Sequence, residues 1–193
     1  MANIYALEGN SYFELGQLDQ AMLCHEADLC IATELNLPEA KSRAQDNIGR
    51  TYAKQKKYAK AIEIWEERLP TIKTDLESTW LNHELGRCYL ELGDTEKAIY
   101  YGNLSLAKAE VIKDKTWKLN ANVLVAQAHL KKDELKEALD SFEAAEVFAE
   151  ELNNRAASRA INKAIESLKM KIDLGIDDIS KGTIYFAGLN SQL

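Results

Sequence analysis

Small, apolar and ring-bearing positions recur along this chain on a polar background. Gly9, Gly49, Gly86 and Ala126 are each followed twelve positions later by an alanine, at Ala21, Ala61, Ala98 and Ala138. Each first marker has a ring three residues on, at Tyr12, Tyr52, Tyr89 and His129, and Ile48, Leu85 and Val125 precede three of them. From the second marker on, the core-facing residues keep the helical interval, as in Ala21, His25, Leu29 and Ala32, or Ala61, Trp65, Leu69 and Ile72. Two helices approach closely only where one lacks a bulky side chain. A small residue on each therefore marks a crossing, and the pattern predicts four helical hairpins.

The spacing resembles the L-G-x-x-Y and A-x-x-x-F core of the tetratricopeptide repeat. Successive markers are 40, 37 and 40 residues apart, against about 34 in the usual repeat, so the helices are expected to be about a turn longer. Their ends are marked: Pro38 and Glu39 open a helix after Asn36, Thr74 and Glu77 have capping-box spacing, and Gly93 with Asp94 divides a pair. The expectation is an all-α, tetratricopeptide-type solenoid at 1–174, with repeats at about 3–36, 38–73, 75–113 and 115–152. A ninth helix at 154–174 sets Ile161, Ile165, Leu168 and Ile172 on one stripe and leaves its other face polar, as a terminal cap requires. The segment 175–193 is expected to be a non-helical tail, either disordered, as most tails are, or folded back or docked on a neighbour through Ile184, Tyr185 and Phe186. Only eight residues precede Gly9, whereas eleven run from Pro38 to Gly49, which suggests further repeats before Met1.

Composition narrows the chemistry. The formal net charge of −7 repels a phosphate backbone, so nucleic-acid binding is disfavoured. The short run Lys54, Lys56 and Lys57 reads as a solvated helix end. Cys24, Cys30 and Cys88 have neither disulfide-framework nor zinc spacing and suit a reducing, cytoplasmic compartment. No stretch approaches the roughly 18 apolar residues of a membrane span, and no membrane association is expected. No nucleophile elbow, phosphate-cradling loop or H-E-x-x-H is present. Cys24 and His25 are adjacent and point about 100° apart on a helix. No catalytic, cofactor or metal site is therefore expected.

The binding surface is expected on the first helix of each hairpin, which in tetratricopeptide arrays lines the inner groove. The residues directly after the small markers form a ladder, Asn10, Arg50, Arg87 and Gln127, and four positions earlier lie Ala6, Asp46, His83 and Val123. The candidate partner-binding groove is thus Asn10, Asp46, Arg50, His83, Arg87 and Gln127. Arg50 and Arg87 suit an acidic helix or extended segment through their planar forks. Alternatively they pair with local acids such as Asp46, Glu84 or Glu91, leaving the groove nearly neutral. Trp65 takes a core position, while Trp80 and Trp117 are either core or interface anchors.

One stretch, Thr79-Trp80-Leu81-Asn82-His83-Glu84-Leu85-Gly86-Arg87-Cys88-Tyr89-Leu90-Glu91-Leu92, resembles the family of outer dynein arm docking complex subunit 4, or tetratricopeptide repeat protein 25. Ile64-Trp65-Glu66-Glu67-Arg68-Leu69-Pro70 and the segment from Trp117 to Ala128 are similar to that family too, so the resemblance covers roughly 40–150. It implies a ciliary, axonemal scaffold that anchors outer dynein arms to doublet microtubules beside coiled-coil and armadillo-type docking subunits. A second resemblance, of Ala21 to Ala32, is to spindle-orientation adaptors of the G-protein-modulator type. A chaperone adaptor with a carboxylate clamp fits less well: Asn10 and Asn47 fall where its asparagines lie, but Ala6, Trp80 and Glu84 stand where it has cations.

Overall fold

The computed structural model describes residues 2–174, and the tail at 175–193 with Ile184, Tyr185 and Phe186 lies outside them. Those residues are all-α, and the chain divides into two compact units, Met1–Ile72 and Lys73–Leu193. The first holds α1 (Ala2–Glu14), α2 (Leu18–Glu34), α3 (Pro38–Lys54) and α4 (Tyr58–Arg68). The second holds α5 (Asp75–Leu92), α6 (Thr95–Ile112), α7 (Lys115–Lys131), α8 (Leu135–Glu151) and α9 (Arg155–Asp173). Each helix packs on the next within its unit, and α1 also touches α3 as α5 touches α7. Each unit therefore contains two tetratricopeptide-type hairpins, the second followed by the capping helix α9.

Local chemistry sets the helix ends. Pro38 sits in the first turn of α3, where its missing N–H costs nothing. Thr74 Oγ1 accepts from Glu77 N at 3.1 Å and Glu77 Oε2 accepts from Thr74 N at 3.2 Å, a reciprocal box at the start of α5. Asp94, Asp114 and Asn154 cap α6, α7 and α9 through side-chain oxygens. A left-handed residue stops the chain between helices, at Gly16, Asn36, Lys56, Gly93, Lys113, Asp133 and Asn153. The Lys54, Lys56, Lys57 run forms the α3–α4 turn. After α4 the chain turns instead through a short 3₁₀ stretch, Leu69–Thr71, which contains Pro70.

The small markers lie at the crossings. A Cβ on Gly9 would come within 2.5 Å of His25 Cε1, and one on Gly49 would collide with the Trp65 indole. Gly86 faces backbone: its Cβ would lie 3.2 Å from both the Ala98 carbonyl oxygen and the Gly102 nitrogen. Close by, Ser105 Oγ donates to the Thr79 carbonyl at 2.8 Å, joining α6 to α5 where both side chains are buried. Trp65 is wholly buried, in keeping with its core position. In the second unit Leu119, Val123, Phe142, Ile161 and Leu168 belong to one cluster, which α9 enters through its apolar stripe.

Two ion pairs stitch the first unit between helices. The fully buried Asp28 of α2 accepts from Arg43 Nη2 of α3, with 3.2 Å to each oxygen. Arg68 at the end of α4 grips Asp46 of α3. A buried charge is tolerated only when paired and hydrogen-bonded, and the buried Asp28 and Arg68 are both met in this way.

Candidate functional site

The helices that carry the sequence-predicted residues are the first of each hairpin, and side chains at intervals of three and four share a face. In the first unit Asn10 stands on α1, and Asp46 and Arg50 on α3. Arg50 lays its guanidinium over the Phe13 ring, 4.9 Å from the centroid, an arrangement that attracts cation to π-face. Asp46 is turned to Arg68, with Nε–Oδ1 3.0 Å and Nη2–Oδ2 3.1 Å, while Arg68 Nη1 also donates to Thr71 Oγ1 at 2.7 Å. Among the described residues no carboxylate pairs with Arg50.

In the second unit His83 and Arg87 of α5 and Gln127 of α7 come together around one cavity of about 150 Å³. Glu84, Trp117 and Asn120 complete its polar and aromatic lining. Arg87 Nη2 donates to Glu84 Oε2 at 3.0 Å, so one cation and one anion balance each other in the wall. His83 Nδ1 lies 3.5 Å from Glu84 Oε1, and its ring meets Trp117 edge-on with centroids 5.4 Å apart. Three buried polar atoms here lack a hydrogen-bond partner among the described residues: Arg87 Nε, His83 Nδ1 and Asn120 Oδ1. Asn120 is only 8% exposed and Gln127 9%.

Spacing alone groups Arg87 with the ladder but does not reveal Asn120. A signal was available: Asn120, Val123 and Gln127 are spaced by three and four, so one more turn back along the same face reaches Asn120, and likewise Trp80 and Arg43. Trp117, with core and anchor roles both open from sequence, stands half-buried on the rim, and Trp80 is also half-buried. The Asp46–Arg68 and Asp28–Arg43 pairs had no sequence signal, because each depends on the register between two helices.

Other reactive groups have limited chemistry. Burial pushes the Cys88 thiol up to about 12, and burial also raises Cys24. The Glu34 carboxylate, hydrogen-bonded to the exposed Cys30, raises that thiol. Among the described residues no group of three or more His, Cys, Asp or Glu could hold a metal ion. No helix among them is long and apolar enough to cross a membrane.

Paired helices crossing at small residues, with polar side chains of the first helices α5 and α7 around one cavity, define a tetratricopeptide-type repeat fold. A tetratricopeptide-repeat profile matches residues 42–67 and 81–101. The fold is also that of the TPR-like repeats of a Podosopora anserina protein assigned as a kinesin light chain, with a TM-score of 0.65 at 15% identity over 88% of this chain and 95% of that one. The sequence relatives are more specific. The chain is 46% identical over 184 residues, 95% of its length, to outer dynein arm-docking complex subunit 4 of Homo sapiens, and equally to that of Mus musculus. It is 44% identical over 172 residues to that of Danio rerio. The chain is thus related to outer dynein arm-docking complex subunit 4 along nearly its whole length, beyond the 40–150 stretch on which the resemblance is readable by eye. It spans 26%, 28% and 35% of these three relatives, respectively.

Proposed function

We propose that this chain is a non-catalytic, protein-binding scaffold that takes part in docking outer dynein arms in the ciliary axoneme, with 1–174 acting as one repeat domain. The observation that carries this reading is the 46% identity to docking-complex subunits across 95% of the chain. In each unit the working surface is its own run of first-helix residues, Asn10, Asp46 and Arg50 in the first and His83, Arg87 and Gln127 in the second. Arg50, which no described carboxylate neutralises, receives an acidic group from a helical or extended partner segment. Asp46, fixed by Arg68, offers an immobile acceptor on the same face. Arg87 is partly exposed, with its Nη2 held by Glu84. The partners are coiled-coil and armadillo-type docking subunits, and neither nucleic acid nor membrane is engaged.

Affinity capture from ciliated cells tests this, comparing the full chain with the Arg50→Glu, Arg87→Glu double variant. Docking subunits recovered by the wild-type chain and about tenfold less by the variant are the expected result, with the interaction weakening as salt rises. Equal recovery by both would discard the ladder as the binding surface. Recovery of cortical G-protein regulators in place of docking subunits would favour the spindle-orientation reading.

A further inference from the structure

We infer that the outer face of α6 docks one amphipathic helix of a protein partner, with apolar residues at alternating three- and four-residue intervals and opposite charges on its two edges. The inference rests on the scaffold reading but goes beyond the first-helix ladder, since α6 is the second helix of its hairpin. Tyr100, Leu104, Ala107 and Val111 are exposed along one side of α6, while Ala98, Gly102, Ser105 and Ala109 are buried on the other. Steps of four, three and four residues lay the exposed set in a narrow seam of the kind two paired helices share. The seam is not a general property of the repeat. Counted from the alanine marker of each hairpin, the places of Tyr100 and Leu104 hold Glu63 and Glu67 in α4, and those of Tyr100 and Val111 hold Asp140 and Glu151 in α8. In α2 the row begins with Leu23 and Ala27 but ends in Cys30 and Glu34. Tyr100 is also braced as an anchor: it meets Tyr101 edge-on with ring centroids 5.2 Å apart, and Tyr101 stacks on Tyr89 of α5 at 5.5 Å. An exposed ring held from behind loses little freedom on binding, and aromatic residues carry much of the energy of interfaces.

Charge selects the occupant. At about 100° per residue, Glu96, Asn103 and Glu110 border the seam on one edge and Lys97 and Lys108 on the other. Glu96 and Glu110 meet Lys132 and Lys118, and Lys97 and Lys108 meet Asp94 and Asp75. Ion pairs open to solvent contribute little, so these charges are free to exchange partners. A helix with one basic and one acidic edge complements both sides of the seam. A second copy of α6 fits worse in either direction. Antiparallel pairing lays acidic edge on acidic edge, and parallel pairing sets Lys97, one heptad before Leu104, against its own counterpart. The chain's own Ile184, Tyr185 and Phe186 stand side by side in sequence, without the interval of the seam.

The test places the photocrosslinker benzoylphenylalanine at position 100 of the full chain in ciliated cells, with the same group at position 140 on α8 as control, and maps the crosslinked peptides by mass spectrometry. The expected result is a yield from position 100 about tenfold above that from position 140, directed to one segment of another protein whose apolar residues recur at three and four. Leu104→Lys with Val111→Lys is expected to cut that yield about tenfold at an unchanged melting temperature. Crosslinks to a second copy, to residues 175–193 or to a segment without the helical interval, or a yield no greater than the control, would each overturn the proposal. The mapped segment decides the matter even where the double variant folds poorly. Capture of docking subunits without a crosslink from position 100 overturns the seam and leaves the scaffold reading standing. Crosslinks to a heptad helix of a protein outside the docking complex do the reverse.

Discussion

Arg68 holds Asp46 in a two-point fork between α4 and α3, with the guanidinium almost wholly buried and the carboxylate about one-fifth exposed. This pair sets the electrostatics of the neighbouring face. With Asp46 turned to Arg68, Arg50 stacks on Phe13 and retains a charge that the described carboxylates do not cancel.

Removing the fork tests its part in holding the helices. Arg68→Ala strands Asp46 and leaves a hole at the end of α4, so a loss of about 2–4 kcal/mol is expected in urea unfolding. Arg68→Met, which keeps the stem packing, is expected to lose less. A midpoint unchanged in both variants would show that the pair contributes nothing to stability.

The crossing of α5 and α6 leaves no room at Gly86. A leucine there meets the flexible end of Leu124, which can move, but also the Ala98 carbonyl and the Gly102 amide, which are backbone. Gly86→Leu is expected to cost about 1–3 kcal/mol by thermal or urea unfolding. A melting curve that overlays the wild type would mean that this is not the crossing point.

His25 links stability to pH. Burial first, then the Arg50 charge, holds its imidazole below the ordinary value of 6.5, against an upward pull from Asp28. The unfolded chain therefore takes up the proton more readily than the folded one. The stabilisation is present above pH 6.5 and is lost as pH falls below it towards and through the folded value. Phenylalanine occupies the equivalent seat at Phe142 and does not titrate. His25→Phe is therefore expected to show a smaller drop in melting temperature than the wild type between about pH 7 and pH 5. Parallel drops would assign the acid loss to other groups.

The three thiols should react in order of access. Cys30 is exposed, Cys24 half-buried and Cys88 buried, with its thiol pushed up to about 12. A neutral-pH maleimide is expected to label Cys30 first, Cys24 more slowly and Cys88 only when the second unit opens. Labelling of Cys88 as fast as Cys30 would contradict the packing of α5.

Much of the fold was legible because its determinants are local. Gly49 and Tyr52, Thr74 and Glu77, and the stripe from Ile161 to Leu168 act within one or two helical turns, where sequence distance and spatial distance coincide. The sites were less legible because their determinants are not. Asp46 lies four residues from Arg50 but pairs with Arg68, twenty-two residues away, since the helix-to-helix register brings that fork closer. Asn120 carries no local mark of an unpartnered oxygen, which arises only from what α5 fails to offer it. Glu84 was the acid weighed for Arg87 that does hold it, three residues back on the same helix face.

At each hairpin crossing the room for side chains is shared between the first marker and the residue four past the second: Gly9 with His25, Gly49 with Trp65, Gly86 with Gly102, and Ala126 with Phe142, which lie in one cluster. These two positions are one letter of the repeat written in two places. In the α5–α6 hairpin both positions are glycine and backbone meets backbone, whereas His25 and Trp65 fill the places that Gly9 and Gly49 leave, so a chimera that joins a first helix to a foreign second helix has to match both halves of the letter.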